Sequence, residues 1–226
     1  MFNSFFRLKK YPPFWQDYLR HFDETWPRNA PIETVRFVVL DTETTGLDPR
    51  KDKLLSIAAA AVTHHQLLLN DSFECYVSQQ VSTGQNAPVH GILQKEMAEG
   101  LPEAEALRQF LDYCQDAVLV GHHIAFDLAM LNQALHNAGA GRLKNRCLDT
   151  ARLALSVEHP FERYQLVSKP GEFSLDALCQ RFHIPDEERH TAAGDVYITA
   201  ILFLKLLAKV EKRGSRTLKE LLDYEG

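Results

Sequence analysis

Two carboxylates separated by one residue, at the end of an apolar run, constrain the fold of this chain more than any other feature. The run Phe37–Leu40 leads directly into Asp41-Thr42-Glu43-Thr44-Thr45-Gly46. An apolar, β-branched run that ends at a glycine turn predicts a buried strand. Because side chains alternate along a strand, Asp41 and Glu43 are expected on the same side. Adjacent carboxylates repel each other, so the pair predicts either a solvated surface turn or a site for a divalent cation with oxygen ligands.

The length and composition of the chain favour one globular domain with an extension. The chain has 226 residues, of which 45% are hydrophobic and 24% are charged, so it can bury a substantial core. Its formal net charge of −5 gives it no overall basic character of the kind that attracts nucleic acid. A polyanionic substrate would therefore require metal ions or local basic groups.

The cysteines and the apolar segments indicate a cytoplasmic protein. The four cysteines form no Cys-x-x-Cys pair, which argues against a thiolate zinc site or a disulfide framework and suits a reducing compartment. No apolar stretch is long enough to span a membrane, and the N-terminus lacks the pattern of a secretory signal. We therefore expect a cytoplasmic location and no membrane partner.

Residues 1–34 differ in composition from residues 35–226, and we expect an N-terminal extension followed by the main domain. The extension holds both tryptophans, a basic cluster of Arg7, Lys9 and Lys10, and an amphipathic helix expected over Phe14–Phe22. Pro27 and Pro31 mark its end. Such an arm can pack on its own domain, or it can bind a protein partner or a nucleic-acid strand through its aromatic and basic residues.

The remaining pattern predicts an α/β domain with a central mixed five-stranded sheet flanked by helices. Three antiparallel strands are followed by alternating helices and strands, which is typical of a mixed sheet. Strands are expected at 35–40, 54–62, 117–120 and 146–148, and a third strand in two pieces is expected at 66–69 and 73–77. Helices are expected at 102–113, after residue 127, and at 150–155, 175–182, 192–210 and 218–224, with Ser174 as the N-cap of the helix at 175–182.

Two further acids, Asp127 and Asp195, stand in the first turns of predicted helices. Each is explained equally well by the favourable interaction of a carboxylate with a helix N-terminus. Asp195 differs because His190 lies five residues upstream, just before the helix begins. None of these signals is specific by itself.

The ordered set of motifs closely resembles the DEDDh, or DnaQ-like, 3′→5′ exonucleases, typified by the proofreading epsilon subunit of bacterial DNA polymerase III. The motifs are Asp-Thr-Glu-Thr-Thr-Gly at 41–46, Val-His-Gly-Ile at 89–92, His-His-Ile-Ala-Phe-Asp at 122–127 and His-x4-Asp at 190–195. The segments at 148–150 and 174–179 also match, and the likeness covers residues 36–207.

This resemblance implies a ribonuclease-H-like fold and two divalent cations, Mg²⁺ or Mn²⁺. By motif match, the cations would be bound by Asp41, Glu43, Asp127 and Asp195, with His190 as the general base. The residues that match nucleotide-contacting positions of the family are Thr44, His90 and Phe126. The chain has His123 where the family usually has Asn.

The implied activity is metal-dependent removal of nucleoside 5′-monophosphates from the 3′ end of single-stranded or frayed nucleic acid, with DNA favoured and RNA open. Alternatives are a proofreading or accessory polymerase subunit, a nucleic-acid-binding protein that acts through its N-terminal arm, and an RNA-directed exoribonuclease. A phosphotransferase with Asp41 as nucleophile fits less well, because Glu43 and the His190–Asp195 pair suit hydrolysis by an activated water.

Overall fold

The computed structural model describes residues 11–23, 26–79, 99–159, 169–187 and 189–225. Within these ranges one sheet is formed by β1 (Phe37–Thr44), β2 (Leu54–Thr63), β3 (Gln66–Tyr76), β4 (Val118–Gly121) and β5 (Cys147–Asp149), in the order β3-β2-β1-β4-β5. The first three strands pair antiparallel, whereas β1–β4 and β4–β5 pair parallel. The predicted mixed five-stranded sheet is therefore confirmed.

Helices cover both faces of this sheet. They are α1 (Pro13–Arg20), α2 (Glu103–Cys114), α3 (Ala125–Asn137), α4 (Thr150–Glu158), α5 (Leu175–Phe182), α6 (Ala192–Lys212) and α7 (Leu218–Leu222). Phe37 and Val39 of β1 belong to the apolar cluster formed with α4–α7, while Val38 and Leu40 belong to the cluster formed with α1–α3. The two-residue period of the strand thus separates two cores.

The observed elements differ from the sequence prediction mainly at their ends. The interrupted third strand is continuous, because Ala60 pairs with Ser72 and Ala61 with Leu68, so the residues between these partners bulge out of the ladder. Ser174 caps α5 as predicted, accepting a hydrogen bond from the Ala177 amide at 3.3 Å. Among the described residues, no helix combines the length and apolar character that crossing a membrane requires.

The described part of the N-terminal extension packs on the domain. Trp15 and Tyr18 of α1 are each 1% exposed within the α1–α3 core. The Tyr18 hydroxyl donates to Asn145 Oδ1 at 2.6 Å and accepts from the Lys144 amide at 2.8 Å. A Cβ atom added at Gly141 would lie 2.7 Å from Trp15 Cζ2, so glycine permits this close contact.

A second attachment ties the end of the extension to the C-terminal region. The Ile32 amide donates to the Arg216 carbonyl and the Leu218 amide to the Ala30 carbonyl, each at 2.9 Å. Phe2, Phe5, Phe6 and the basic cluster at residues 7–10 lie outside the described residues, and the division of the chain at residue 34 stays a prediction.

If α1 is an integral part of the core, Trp15→Ala should lower the free energy of unfolding by about 3–5 kcal/mol, because it leaves a large cavity. Denaturant unfolding followed by circular dichroism measures this loss. Asp17→Ala, on the exposed side of the same helix, should change stability by about 1 kcal/mol or less. Equal unfolding free energies for Trp15→Ala and the unmodified chain would show that α1 is dispensable for the core.

Candidate active site

The end of β1 presents Asp41 and Glu43 on the face covered by α4–α7. They continue the alternation of Phe37 and Val39, and both side chains are partly exposed. Their partners in β2 are Ala58 and Ser56, respectively. These small neighbours leave room for both carboxylates and for a ligand between them.

Asp127 reaches the same sheet edge from the first turn of α3, which follows β4. It is 5% exposed, and its Oδ1 accepts hydrogen bonds from the Thr42 amide at 3.0 Å and the Thr42 hydroxyl at 2.7 Å. Thr42 points to the α1–α3 face because it alternates with Asp41 and Glu43. A residue between the two strand acids therefore holds the third acid in place.

Asp195 approaches from the first turn of α6. Thr191 caps this helix, with its hydroxyl accepting from the Gly194 amide at 3.1 Å, which is the usual arrangement for an N-terminal threonine. Asp195 Oδ1 forms an ion pair with Arg189 Nη1, and Arg189 Nε also contacts Asp176 Oδ1 at 2.8 Å. The carboxylate of Asp195 is thus already paired with a protein cation.

The pKa values show that these acids share one electrostatic environment. Burial raises the pKa of Asp41 well above its ordinary value, and the charges of Asp127, Asp195 and Glu43 raise it further. Burial, followed by the charges of Asp195 and Asp127, raises the pKa of Glu43 to about 7. Asp127 and Asp195 therefore lie close enough to the two strand acids to oppose the ionisation of Asp41 and Glu43.

The pKa of Asp127 is also raised by burial, and hydrogen bonds partly offset this rise. Burial raises its pKa to about 7, while the two hydrogen bonds from Thr42 act in the opposite direction. Thr42 stabilises the charged form of a carboxylate that lies almost completely away from solvent. The hydrogen bonds from Thr42 therefore offset part of the effect of burial on Asp127.

The donor set fits a divalent cation. Carboxylate oxygens are the ligands preferred by Mg²⁺ and Mn²⁺, and a cation would relieve the repulsion that raises these pKa values. As the side chains stand, no three His, Cys, Asp or Glu residues in the described ranges are arranged to hold a metal ion. Asp127 is engaged by Thr42, and Asp195 is engaged by Arg189.

The other predicted site residues occupy different environments. His190 is exposed, with a backbone φ of 71°, and directly precedes the Thr191 cap of α6. Phe126 is half-buried beside the α1–α3 core. Thr44 is 6% exposed and its hydroxyl donates to the Gly46 carbonyl at 2.8 Å, so it also shapes the turn after β1. His90 lies outside the described residues.

Three residues with clear roles in this geometry were missed by sequence reasoning, namely Thr42, Asp149 and Arg189. Asp149 Oδ1 accepts from the His123 amide at 3.1 Å and from the Ala151 amide at 2.9 Å, which ties the loop before α3 to the start of α4. The side-chain alternation along β1 could have identified Thr42, because it puts the Thr42 hydroxyl on the other face of the sheet from Asp41 and Glu43. Arg189 makes contacts between separate elements that no local pattern reveals.

The backbone conformation at residue 123 suits a histidine. Its φ is 55°, in the left-handed region, which asparagine, aspartate and histidine adopt more readily than other side chains. The family's usual Asn and this chain's His therefore satisfy the same backbone requirement. The half-buried neighbour His122 contacts Thr150 Oγ1 through Nδ1 at 2.9 Å, and burial lowers its pKa to about 4.

Residues 38–203 match the exonuclease family RNase_T. The chain therefore belongs to this family. The resemblance to DnaQ-like exonucleases that the motifs indicated is confirmed.

Curated relatives are replication proteins. A DNA polymerase III subunit epsilon-like protein from Rhodobacter capsulatus is 35% identical over 83% of this chain, and a PolC-type DNA polymerase III from Staphylococcus saprophyticus is 26% identical over 83%. The chain spans only 26% and 12% of the lengths of these two relatives, respectively. The match thus concerns one part of each larger protein.

Solved structures share the fold. Cell-death related nuclease 4 aligns over 78% of this chain and 64% of its own, with a TM-score of 0.65 and 12% identity. E. coli exonuclease I with a dT13 oligonucleotide covers 80% and 42%, with a TM-score of 0.61 and 16% identity. A zinc-bound complex of that enzyme with single-stranded DNA has a TM-score of 0.62, 17% identity and coverage of 84% and 42%.

The raised pKa of Asp127 predicts a pH-dependent stability in metal-free protein. An unfolded aspartate has a pKa near 3.9, so the folded state binds this proton more tightly, and the stability associated with it is lost as the pH rises from about 4 to about 7. Asp127→Asn removes the titration while its amide oxygen can still accept from Thr42.

Denaturant unfolding in EDTA at pH 5 and pH 8 tests this prediction. We expect the free energy of unfolding of Asp127→Asn to exceed that of the unmodified chain by a margin that grows from pH 5 to pH 8. A margin independent of pH would contradict the assignment of a raised pKa to Asp127.

Proposed function

We propose that the chain is a metal-dependent 3′→5′ exonuclease that releases nucleoside 5′-monophosphates from single-stranded or frayed 3′ ends. The observation that carries the proposal is the meeting of Asp41, Glu43, Asp127 and Asp195 at one sheet edge, where their charges raise the pKa values of Asp41 and Glu43. Family membership supports a nuclease, and the DEDDh motif order supports the direction and the ligand set.

Each site residue has a role that follows from its position. Asp41 and Glu43 are the strand ligands, and Asp127 and Asp195 are the ligands at the two helix starts. Two divalent cations, Mg²⁺ or Mn²⁺, would supply a lowered pKa for an attacking water and charge stabilisation for the leaving 3′ oxygen.

Histidine is well suited to the proton transfer, because its neutral form is abundant at physiological pH. His190 is exposed directly before α6, where its imidazole can accept the proton of a water at the carboxylate cluster. Thr42 holds Asp127 in place through two hydrogen bonds and favours its charged form. Histidine thus supplies the base, and the four acids supply the cation ligands.

Single-stranded DNA is the proposed substrate class. A 3′ end must enter a site bordered by carboxylates, which an unpaired strand does more readily than an intact duplex. Phe126, the neighbour of Asp127 in sequence, has a half-buried ring that would stack on a terminal base, and stacking tolerates different bases and sugars. The structural relative exonuclease I has been captured with dT13 and dA16 oligonucleotides, which is consistent with this choice.

A second candidate is the same activity exercised beside a polymerase, as the names of the relatives suggest. A protein partner could contact the N-terminal arm. Trp15 and Tyr18 are buried in the domain, so such a partner would contact other residues of the arm. Binding of a purified replicative polymerase, with and without residues 1–10, would test this association.

A product time course tests direction, metal dependence and sugar preference together. Single-stranded DNA and RNA labelled at the 3′ or 5′ end are incubated with Mg²⁺, Mn²⁺ or EDTA. We expect 5′-labelled DNA to shorten stepwise in the presence of either metal and not in EDTA. Asp41→Asn should abolish shortening, and Asp112→Asn, which changes an exposed acid of α2, should not. Shortening from the 5′ end, or in EDTA, would contradict the proposal.

His190→Ala should lower turnover by roughly 10²–10⁴-fold, because a general base typically contributes that much. His183→Ala is a matched control, since His183 is also exposed and also has a positive φ, of 52°, but lies at the end of α5. Single-turnover rates at saturating metal separate the chemical step from binding. Unchanged turnover in folded His190→Ala would remove His190 from the mechanism.

A further inference from the structure

Arg189 links the two helices that border the carboxylate cluster. Its Nε contacts Asp176 Oδ1 of α5 at 2.8 Å, and its Nη1 contacts Asp195 Oδ1 of α6. The side chain of Arg189 is 16% exposed and that of Asp195 is 14% exposed, whereas that of Asp176 is 57% exposed. The Arg189–Asp195 pair therefore lies in the partly desolvated part of the site, where charges interact strongly.

The charge of Arg189 also acts on the strand acids. It lowers the pKa values of both Asp41 and Glu43, against the combined effect of burial and the neighbouring carboxylates. Its position corresponds to that of a counter-ion for Asp41, Glu43 and Asp195. A cation entering the same cluster would act on the same carboxylates.

We propose that Arg189 is the internal counter-ion of this site and that it competes with the metal for Asp195. The inference rests on the proposed function, in which Asp195 is a metal ligand. An ion pair present only in the metal-free state reduces metal affinity by the free energy that is lost when it breaks. A fixed positive charge beside the cluster opposes a divalent cation in addition. Arg189 therefore sets the metal concentration at which the site fills.

The connection to His190 gives this competition a structural consequence. Arg189 directly precedes His190, and Thr191 caps α6, so the ion pair with Asp195 restrains the segment that carries the proposed base. When metal takes Asp195, Arg189 keeps its contact with Asp176, and the restraint on His190 changes. Filling of the metal site and placement of the base are thereby coupled.

Calorimetric titration of Mn²⁺ into metal-free protein, without nucleic acid, tests the competition directly. We expect Arg189→Gln to bind Mn²⁺ about tenfold more tightly than the unmodified chain, within the usual range of couplings between neighbouring sites. Without metal its melting temperature should be lower, and its rise on Mn²⁺ addition should be larger. Weaker or unchanged Mn²⁺ binding would overturn the proposal and indicate that Arg189 supports the ligand geometry.

Arg181→Gln is the matched control. Arg181 lies in the last turn of α5 and pairs with Glu158, so the variant has the same change of net charge away from the cluster. We expect its Mn²⁺ affinity to stay unchanged, and an equal gain in both variants would overturn the proposal in favour of a general charge effect. Arg189→Lys provides a second test if Arg189→Gln does not fold. Lysine keeps the charge but cannot hold both acids in the same way, so a smaller gain in affinity is expected, and its absence would overturn the proposal.

The same titration separates this inference from the proposed function. If the folded unmodified chain bound no Mn²⁺, the metal-dependent mechanism itself would fail, together with the competition. If the unmodified chain bound Mn²⁺ and Arg189→Gln gained no affinity, only the role of Arg189 would be lost.

Discussion

Repulsion between carboxylates at one edge of the sheet is the interaction on which the rest of the site depends. Asp41 and Glu43 leave the end of β1 on one face, Asp127 arrives from α3 and Asp195 from α6. Burial and mutual charge raise the pKa values of Asp41 and Glu43, so the folded chain holds these acids together against an electrostatic penalty. Such a penalty persists in a fold only where the remaining packing is strong enough to impose it.

The sheet supplies that packing through the alternation of β1. Its apolar residues contribute alternately to the α4–α7 core and the α1–α3 core, and each core fixes a helix that carries one acid. Because β1 and β4 are parallel, α3 begins at the same edge at which β1 ends. The position of Asp127 is therefore a consequence of topology, and the hydrogen bonds from Thr42 refine it.

Local pattern was sufficient for the parts of the structure that depend on periodicity. The strand that carries Asp41 and Glu43, the Ser174 cap and the long helix after His190 were all predicted, since alternation and capping are short-range properties. The order of the motifs then indicated the family. The contacts of Arg189 with Asp176 and Asp195 could not be predicted, because the loop geometry that joins α5 and α6 is set by packing.

The repulsion between the carboxylates also sets the stability of the metal-free site against its affinity for a metal ion. Without metal, clustered carboxylates are tolerated only if protein groups offset their charge, as Thr42 does for Asp127 and Arg189 does for Asp195. Every such contact that must be given up reduces the free energy gained when a cation binds. Thr42 donates its amide and its hydroxyl to Oδ1 of Asp127, and it brings no charge of its own into the cluster. Arg189 brings a full positive charge into the cluster, so its contact with Asp195 opposes the binding of a metal cation. Stability of the metal-free site and affinity for the metal are therefore opposed most directly at Asp195.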